Sequence, residues 1–148
     1  MKEILLIKNG EIALKGLNRS TFEDMLIKNI KTALKGLGLI RVKRAQSTIY
    51  VSPVYDDYDM DEAVERIKKV FGIAAFSRAA VCEKDMDTIL KTAVEYLKDD
   101  LEFVKTFKVE AKRADKKFPL KSPEICRETG AAILQNYHHL KVDVHNPD

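Results

Sequence analysis

Ile4-Leu5-Leu6-Ile7 is an unbroken apolar run inside a short segment from Glu3 to Lys8. Continuous apolar character over so few residues predicts a strand covered on both faces and central in its sheet. Asn9-Gly10 offers a hairpin turn into Glu11–Lys15 as the lesser option, because Gly16 and Asn18 soon interrupt the second arm. The period then changes to that of a helix. Phe22, Leu26, Ile30, Ala33, Leu34 and Leu37 fall on one face, and Lys28, Lys31 and Lys35 line the other as a solvated stripe. Ser20 and Glu23 have the spacing of a capping box, and Gly36 and Gly38 end the helix.

Leu39–Ala45 and Thr48–Pro53 read as two strands joined at Gln46-Ser47. Asp59 and Glu62 open a second helix with the stripe Ala63, Val64, Ile67, Val70 and Phe71, closed by Gly72. Ile73–Cys82 is a further strand. The order strand, helix, strand, strand, helix, strand is the split βαβ arrangement of a ferredoxin-like domain. A second unit follows. A helix opens near Asp85 and presents Met86, Leu90, Ala93, Val94 and Leu97 on one side. Thr106–Arg113 alternates, with Phe107, Val109 and Ala111 pointing one way and Lys108, Glu110 and Lys112 the other. Ser122-Pro123 starts another helix, with Ser122 as its cap, and Leu140–Val144 is a strand with no closing element after it. The fold class is therefore α+β, and the second domain reads as unfinished, a piece of a longer protein.

Composition adds boundaries rather than a function. The chain of 148 residues is 45% hydrophobic, enough for a packed core, and 33% charged. No apolar run approaches the roughly 18 residues of a membrane span, and the charges at Lys2 and Glu3 leave too short an apolar start for a secretory signal. These features predict a cytoplasmic protein without a membrane partner. Cys82 and Cys126 stand apart from each other and from any histidine at ligand spacing, which predicts inert buried thiols. His138, His139 and His145 lack a zinc pattern, so no metal site is expected. There is no P-loop, no HExxH and no paired nucleophile and base.

Charge is unevenly placed. Between Lys105 and Lys121 seven Lys or Arg face only Glu110 and Asp115, a surplus of five in a chain whose net charge is +3. Lys112 ends the polar face of its strand, Arg113, Lys116 and Lys117 follow in a loop, and Lys121 precedes the helix start, with Arg127 in the first turns. Bare amides and the positive end of the dipole already make such a start an anion site. Cations placed there cost a few tenths of a kcal/mol each in isolation, roughly, and a bound phosphate would offset that cost. Several cations spread along a loop suit a polymer carrying several phosphates. Phe118 lies among them, placed either to stack on a base or to plug the core beneath the loop.

Several motifs occur in order along the whole chain. They are Gly10-Glu11-Ile12-Ala13-Leu14-Lys15-Gly16 with Asn18-Arg19, Val70-Phe71-Gly72-Ile73, Thr106-Phe107-Lys108-Val109, Arg113-Ala114-Asp115-Lys116, Phe118-Pro119-Leu120, Ser122-Pro123-Glu124-Ile125 and the closing Leu140–Asp148. Together they resemble the bacterial and archaeal tRNA 4-thiouridine synthases, also called thiamine-biosynthesis sulfurtransferases. The resemblance implies a ferredoxin-like domain over 1–75, then a THUMP domain over 76–148 whose profile begins as early as 60 and which lacks its last strands. The ATP-binding PP-loop domain is absent from this chain, and so are the family's catalytic cysteines. Asn9 stands where the family more often has Tyr.

The resemblance further implies that the THUMP domain holds the acceptor stem and 3′ end of tRNA. RNA contact then falls on Lys112, Arg113, Lys116, Lys117, Phe118, Lys121, Ser122 and Arg127. Lys15 and Arg19 are secondary candidates for RNA or interdomain contact. ATP and Mg would serve the full-length enzyme, a donor such as a cysteine desulfurase would supply persulfide sulfur, and a homodimer is an assembly the resemblance allows. This chain alone is expected to be non-catalytic and to hold no cofactor. Two other readings stay open from the residues: the THUMP module of an RNA methyltransferase or pseudouridine synthase, and a ferredoxin-like regulatory domain that binds no RNA.

Overall fold

A computed structural model of the chain describes residues 2–9 and 19–148. The Asn9-Gly10 hairpin and Lys15 lie outside the described residues. The chain divides into two compact units, Met1–Val81 and Cys82–Asp148. The division falls after Val81 and not at 75, because the strand Ile73–Ala80 (β4) is hydrogen-bonded along its length to the strand Glu3–Asn9 (β1).

Among the described residues the first unit is a four-stranded antiparallel sheet with two helices. Its strand order is β2-β3-β1-β4, where β2 is Ile40–Ala45 and β3 is Thr48–Pro53. β1 is central, as its apolar run requires. That run is fully buried on one face and part-buried on the other. Leu5 and Ile7 are 1% and 0% exposed, whereas Ile4 and Leu6 are part-covered. The helices Arg19–Ala33 (α1) and Met60–Ile67 (α2) both pack on the Leu5 side, where Phe22, Leu26, Ile30, Ala63 and Ile67 meet Ile49 and Val51. The expected burial on both faces is thus complete on the helix side and partial on the other.

Helix ends explain the other local differences. Ser20 already lies within α1, so it is not the cap, and Glu23 accepts long hydrogen bonds from Asn9 Nδ2 and Arg44 Nη1, each at 3.4 Å. Asp59 does cap α2, accepting from the Glu62 backbone N–H at 3.0 Å. That helix stops at Ile67, so Phe71 falls beyond its apolar stripe and is 91% exposed. Gly72 follows at φ +98°, and a Cβ there would come within 3.0 Å of the Phe22 ring.

The second unit packs three helices beside a two-stranded parallel sheet. The helices are Met86–Tyr96 (α3), Lys98–Phe103 (α4) and Ser122–Asn136 (α5). Asp85 caps α3 by accepting from the Thr88 N–H at 3.0 Å. The sequence pattern does not anticipate α4, whose single buried residue, Leu101, joins Phe107, Ile133 and Leu140 in the core. Tyr137 donates its hydroxyl to the Val94 carbonyl at 2.8 Å, tying the end of α5 to α3. The paired strands are only Thr106–Phe107 (β5) and Lys141–Val142 (β6), shorter than the alternation suggests. Asp148 accepts from the Lys105 and Thr106 N–H groups at 2.8 and 3.2 Å, which pins the last residues beside β5. Among the described residues no helix is long and apolar enough to cross a membrane.

Gly72→Ala should destabilise the first unit by about 2 kcal/mol, because a left-handed backbone and the Phe22 contact act together. Ile30→Ala should cost about 2–5 kcal/mol through the cavity it leaves. Urea unfolding measures both, and an unchanged midpoint for Gly72→Ala would contradict the turn geometry.

Candidate nucleic-acid interface

The basic segment begins where β5 loses its partner. Phe107 is buried, Val109, Ala111 and Arg113 are half-buried, and Lys108, Glu110 and Lys112 are exposed. The two-residue period thus continues past the paired strand. Apolar side chains facing the core keep the backbone extended even where no strand pairs with it among the described residues. Glu110 lies 2.7 Å from Lys108 Nζ on the same exposed side, and that hydrogen bond holds its carboxyl below the ordinary range.

Asp115 turns the chain. Its Oδ1 accepts from the Lys117 N–H at 3.0 Å, and its carbonyl accepts from the Phe118 N–H at 3.1 Å. Such a side-chain-to-backbone closure is how Asp commonly seeds a turn. Lys84 Nζ bonds Oδ2 at 2.9 Å, and the hydrogen bonds from Lys84 and from the Lys117 amide hold the Asp115 carboxyl below its usual value. Both acids of the segment are therefore matched by a lysine. Lys112, Lys116, Lys117 and Lys121 are exposed and have no carboxylate partner among the described residues.

The turn directs Phe118 inward, to 9% exposure. Of the two placements open for Phe118, stacking on a base or plugging the core, its burial favours the second: the ring forms part of the floor beneath the loop. Arg113 holds the loop across its width. Its Nη1 donates to the Phe118 carbonyl at 3.1 Å, and its backbone N–H donates to Ser122 Oγ at 3.2 Å. Ser122 is accordingly the first residue of α5 and not its cap. The capping position belongs to Lys121, with extended backbone and no side-chain hydrogen bond to the first turn. The amides at this helix start have no side-chain cap.

The candidates separate into groups. Lys112 and Arg113 border a hollow of about 490 Å³ with Ile89, Ala111, Phe118 and Ile125. Lys84 is on the same rim, and the sequence alone gave no signal for it, since its link to Asp115 spans 31 residues. Arg127 is not part of this cluster. It borders a separate apolar groove of about 370 Å³ with Val109 and Val142. Arg19 is the first residue of α1 in the other unit. Cys82 and Cys126 are free and half-buried rather than fully buried. Among the described residues no group of three or more His, Cys, Asp or Glu could hold a metal.

With this geometry in view, comparison with known proteins is informative. Residues 4–77 match the family model for the ThiI ferredoxin-like domain, and residues 83–148 match that for the THUMP domain. The chain belongs to the ThiI family. It is 47% identical to a probable tRNA sulfurtransferase of Acetivibrio thermocellus and 50% identical to one of Caldanaerobacter subterraneus, all of the chain being matched in each case. The chain spans 38% of the length of these relatives. A crystal structure of a 4-thiouridine synthetase–RNA complex with bound ATP matches all of the chain and 37% of its own, at 35% identity and a TM-score of 0.80. A Pyrococcus horikoshii protein of known structure matches 98% of the chain and 48% of its own, at 30% identity and a TM-score of 0.75. These matches support the α+β, ferredoxin-like plus THUMP architecture expected from the sequence.

Because the Asp115 carboxyl titrates below its ordinary value of about 3.9, its contribution to loop order is present above that pH. It is lost as the pH falls through the lowered value. Lys84→Met should move the Asp115 titration upward toward the ordinary value. Carboxyl carbon NMR reads this directly, and an unmoved midpoint would show that Lys84 does not set it.

Proposed function

We propose that this chain is the tRNA-binding portion of a tRNA sulfurtransferase that makes 4-thiouridine in an ATP-dependent reaction. One observation carries the reading. Uncompensated lysines gather beside a helix start without a side-chain cap, while the two acids of the same segment are matched by Lys84 and Lys108. A phosphate backbone supplies the missing negative charge, and the bare amides supply hydrogen-bond donors for its oxygens. Arg113, tied to Phe118 and Ser122, holds the loop in shape so that less order must be gained on binding. The similarity to a synthetase crystallised with RNA supports the same assignment.

In this reading the loop and the start of α5 receive the acceptor stem and 3′ end of tRNA. The residues present do not suit an ATP–Mg site: no glycine-rich phosphate loop occurs in the sequence, and no carboxylate cluster occurs among the described residues. In this reading ATP, Mg and the persulfide chemistry are the work of the full-length enzyme, and this portion supplies the binding of RNA. Sulfur would arrive in the cytoplasm from a donor such as a cysteine desulfurase, with onward transfer toward thiamine thiazole synthesis as a second use. A homodimer is compatible with this arrangement.

The experiment is a salt titration of binding to an acceptor minihelix with a 3′ overhang, followed by fluorescence anisotropy. Substituting Lys116, Lys117 and Lys121 together by Ala should weaken binding and make the slope of log K against log salt shallower by about 2, at roughly 0.7 per single-strand phosphate. The overhang should also bind better than a blunt duplex. An unchanged affinity and slope would remove the loop from the RNA interface.

A further inference from the structure

Among the described residues of the first unit, no helix packs on one face of its sheet. α1 and α2 both pack against the side carrying Leu5, Ile7, Ile49 and Val51. On the opposite side the strand register sets Lys43, Tyr50, Leu6 and Ser77 in one row across the four strands. Lys8 lies in the next row, opposite Thr48 and Ala75, and Arg41 stands opposite Ser52. Lys8, Arg41, Lys43, Ala75 and Ser77 are exposed, and Tyr50 is half-exposed.

Charge is sorted between the two faces. On the helix side Arg44 pairs with Glu23 and Asp24, and Arg78 pairs with Glu3 at 3.0 Å and Asp61 at 2.6 Å. The hydrogen bonds it donates to Glu3 and then to Asp61 hold the Arg78 guanidinium even more firmly protonated than usual. On the open side Lys8, Arg41 and Lys43 have no carboxylate partner among the described residues. The four strands place no acid there, since Glu3, their one carboxylate, belongs to the helix side. Arg41 and Lys43 are two residues apart on one strand, about 6.8 Å at the usual rise, a step comparable to that between phosphates of an extended strand. Along its own strand Tyr50 is flanked on this face by the hydroxylated Thr48 and Ser52, with Lys43 and Leu6 directly opposite it on the neighbouring strands.

We propose that this open face is a second RNA-contact surface, which takes an unpaired RNA segment with a base stacked on Tyr50 and phosphates met by Lys8, Arg41 and Lys43. The inference rests on the reading that the protein works on RNA, and it concerns a surface separate from the α5 loop. The chemistry is that of sequence-tolerant single-strand recognition, a central aromatic platform within a cationic border. The fold alone does not imply it; the placement of these four side chains does.

The test uses the whole chain and two probes, a single-stranded A12 oligoribonucleotide and the acceptor minihelix. Tyr50→Ala should weaken A12 binding about 5- to 150-fold, the range for one stacked base, while Tyr50→Phe should stay within about twofold. Lys8→Ala, Arg41→Ala and Lys43→Ala together should make the A12 salt slope shallower by about 2. Ultraviolet crosslinking of the unaltered protein to A12 should mark the peptide containing Tyr50, a readout that holds even where Tyr50→Ala fails to fold. The inference is overturned if neither sheet variant changes A12 binding and no crosslink reaches β3. The loop variant's effect on the minihelix would then leave the loop reading standing. Failure of the unaltered protein to bind either probe overturns both. Self-association in sedimentation velocity that Tyr50→Ala abolishes would assign the face to a second copy of the chain and overturn the proposal.

Discussion

A cation held against a packed surface must find a carboxylate, and one that finds none must stay in water or meet an anion from outside. That constraint organises both units. Arg44 and Arg78 sit at the border between sheet and helices, and each reaches two acids. Pairs whose cation is open to solvent contribute little stability. Their value is in showing which cations are already satisfied. Lys112, Lys116, Lys117 and Lys121 are not, and neither are Lys8, Arg41 and Lys43.

The basic loop depends on one carboxylate. Asp115 is a net subtraction from the positive charge of its segment, yet it makes the segment usable. By accepting from Lys117 and Phe118 it reverses the chain, sends the Phe118 ring inward and leaves the neighbouring lysines outside. Lys84 then offsets the negative charge that the turn required. Arg113 serves as a strut inside the loop, so its substitution would alter shape as well as charge. This is why Lys116, Lys117 and Lys121 report more cleanly on phosphate contact than Arg113 does.

Much of this was legible in the residues. Period and caps located most elements: Asp59 and Asp85 cap the helices that follow them, and Gly36 and Gly72 take the positive φ angles that their positions demanded. The alternation from Phe107 onward also holds, although hydrogen-bonded pairing ends after two residues. What failed shares a cause. Ser20 and Ser122 are good capping residues that lie inside their helices, as the second and first residues respectively, while Glu23 accepts from Asn9 and Arg44, and Ser122 from the Arg113 amide. Tertiary hydrogen bonds overrode local preference in both places. Phe118 looked available in a polar loop, yet the hollow beneath that loop needed an apolar floor.

The sequence by itself determined the order of elements, the apolar faces and the concentration of charge between Lys105 and Lys121, because these depend on spacing within a few residues. Only the tertiary structure decided which charges are matched. The Lys84–Asp115 and Arg78–Glu3 links join residues 31 and 75 positions apart, and Arg127 turns to a different groove from the loop it adjoins in sequence. It also decided that the run Ile4–Ile7 is fully buried on one face and part-buried on the other. Apolar residues favour burial, but the number of helices packed on each side of a sheet is set by the path of the chain.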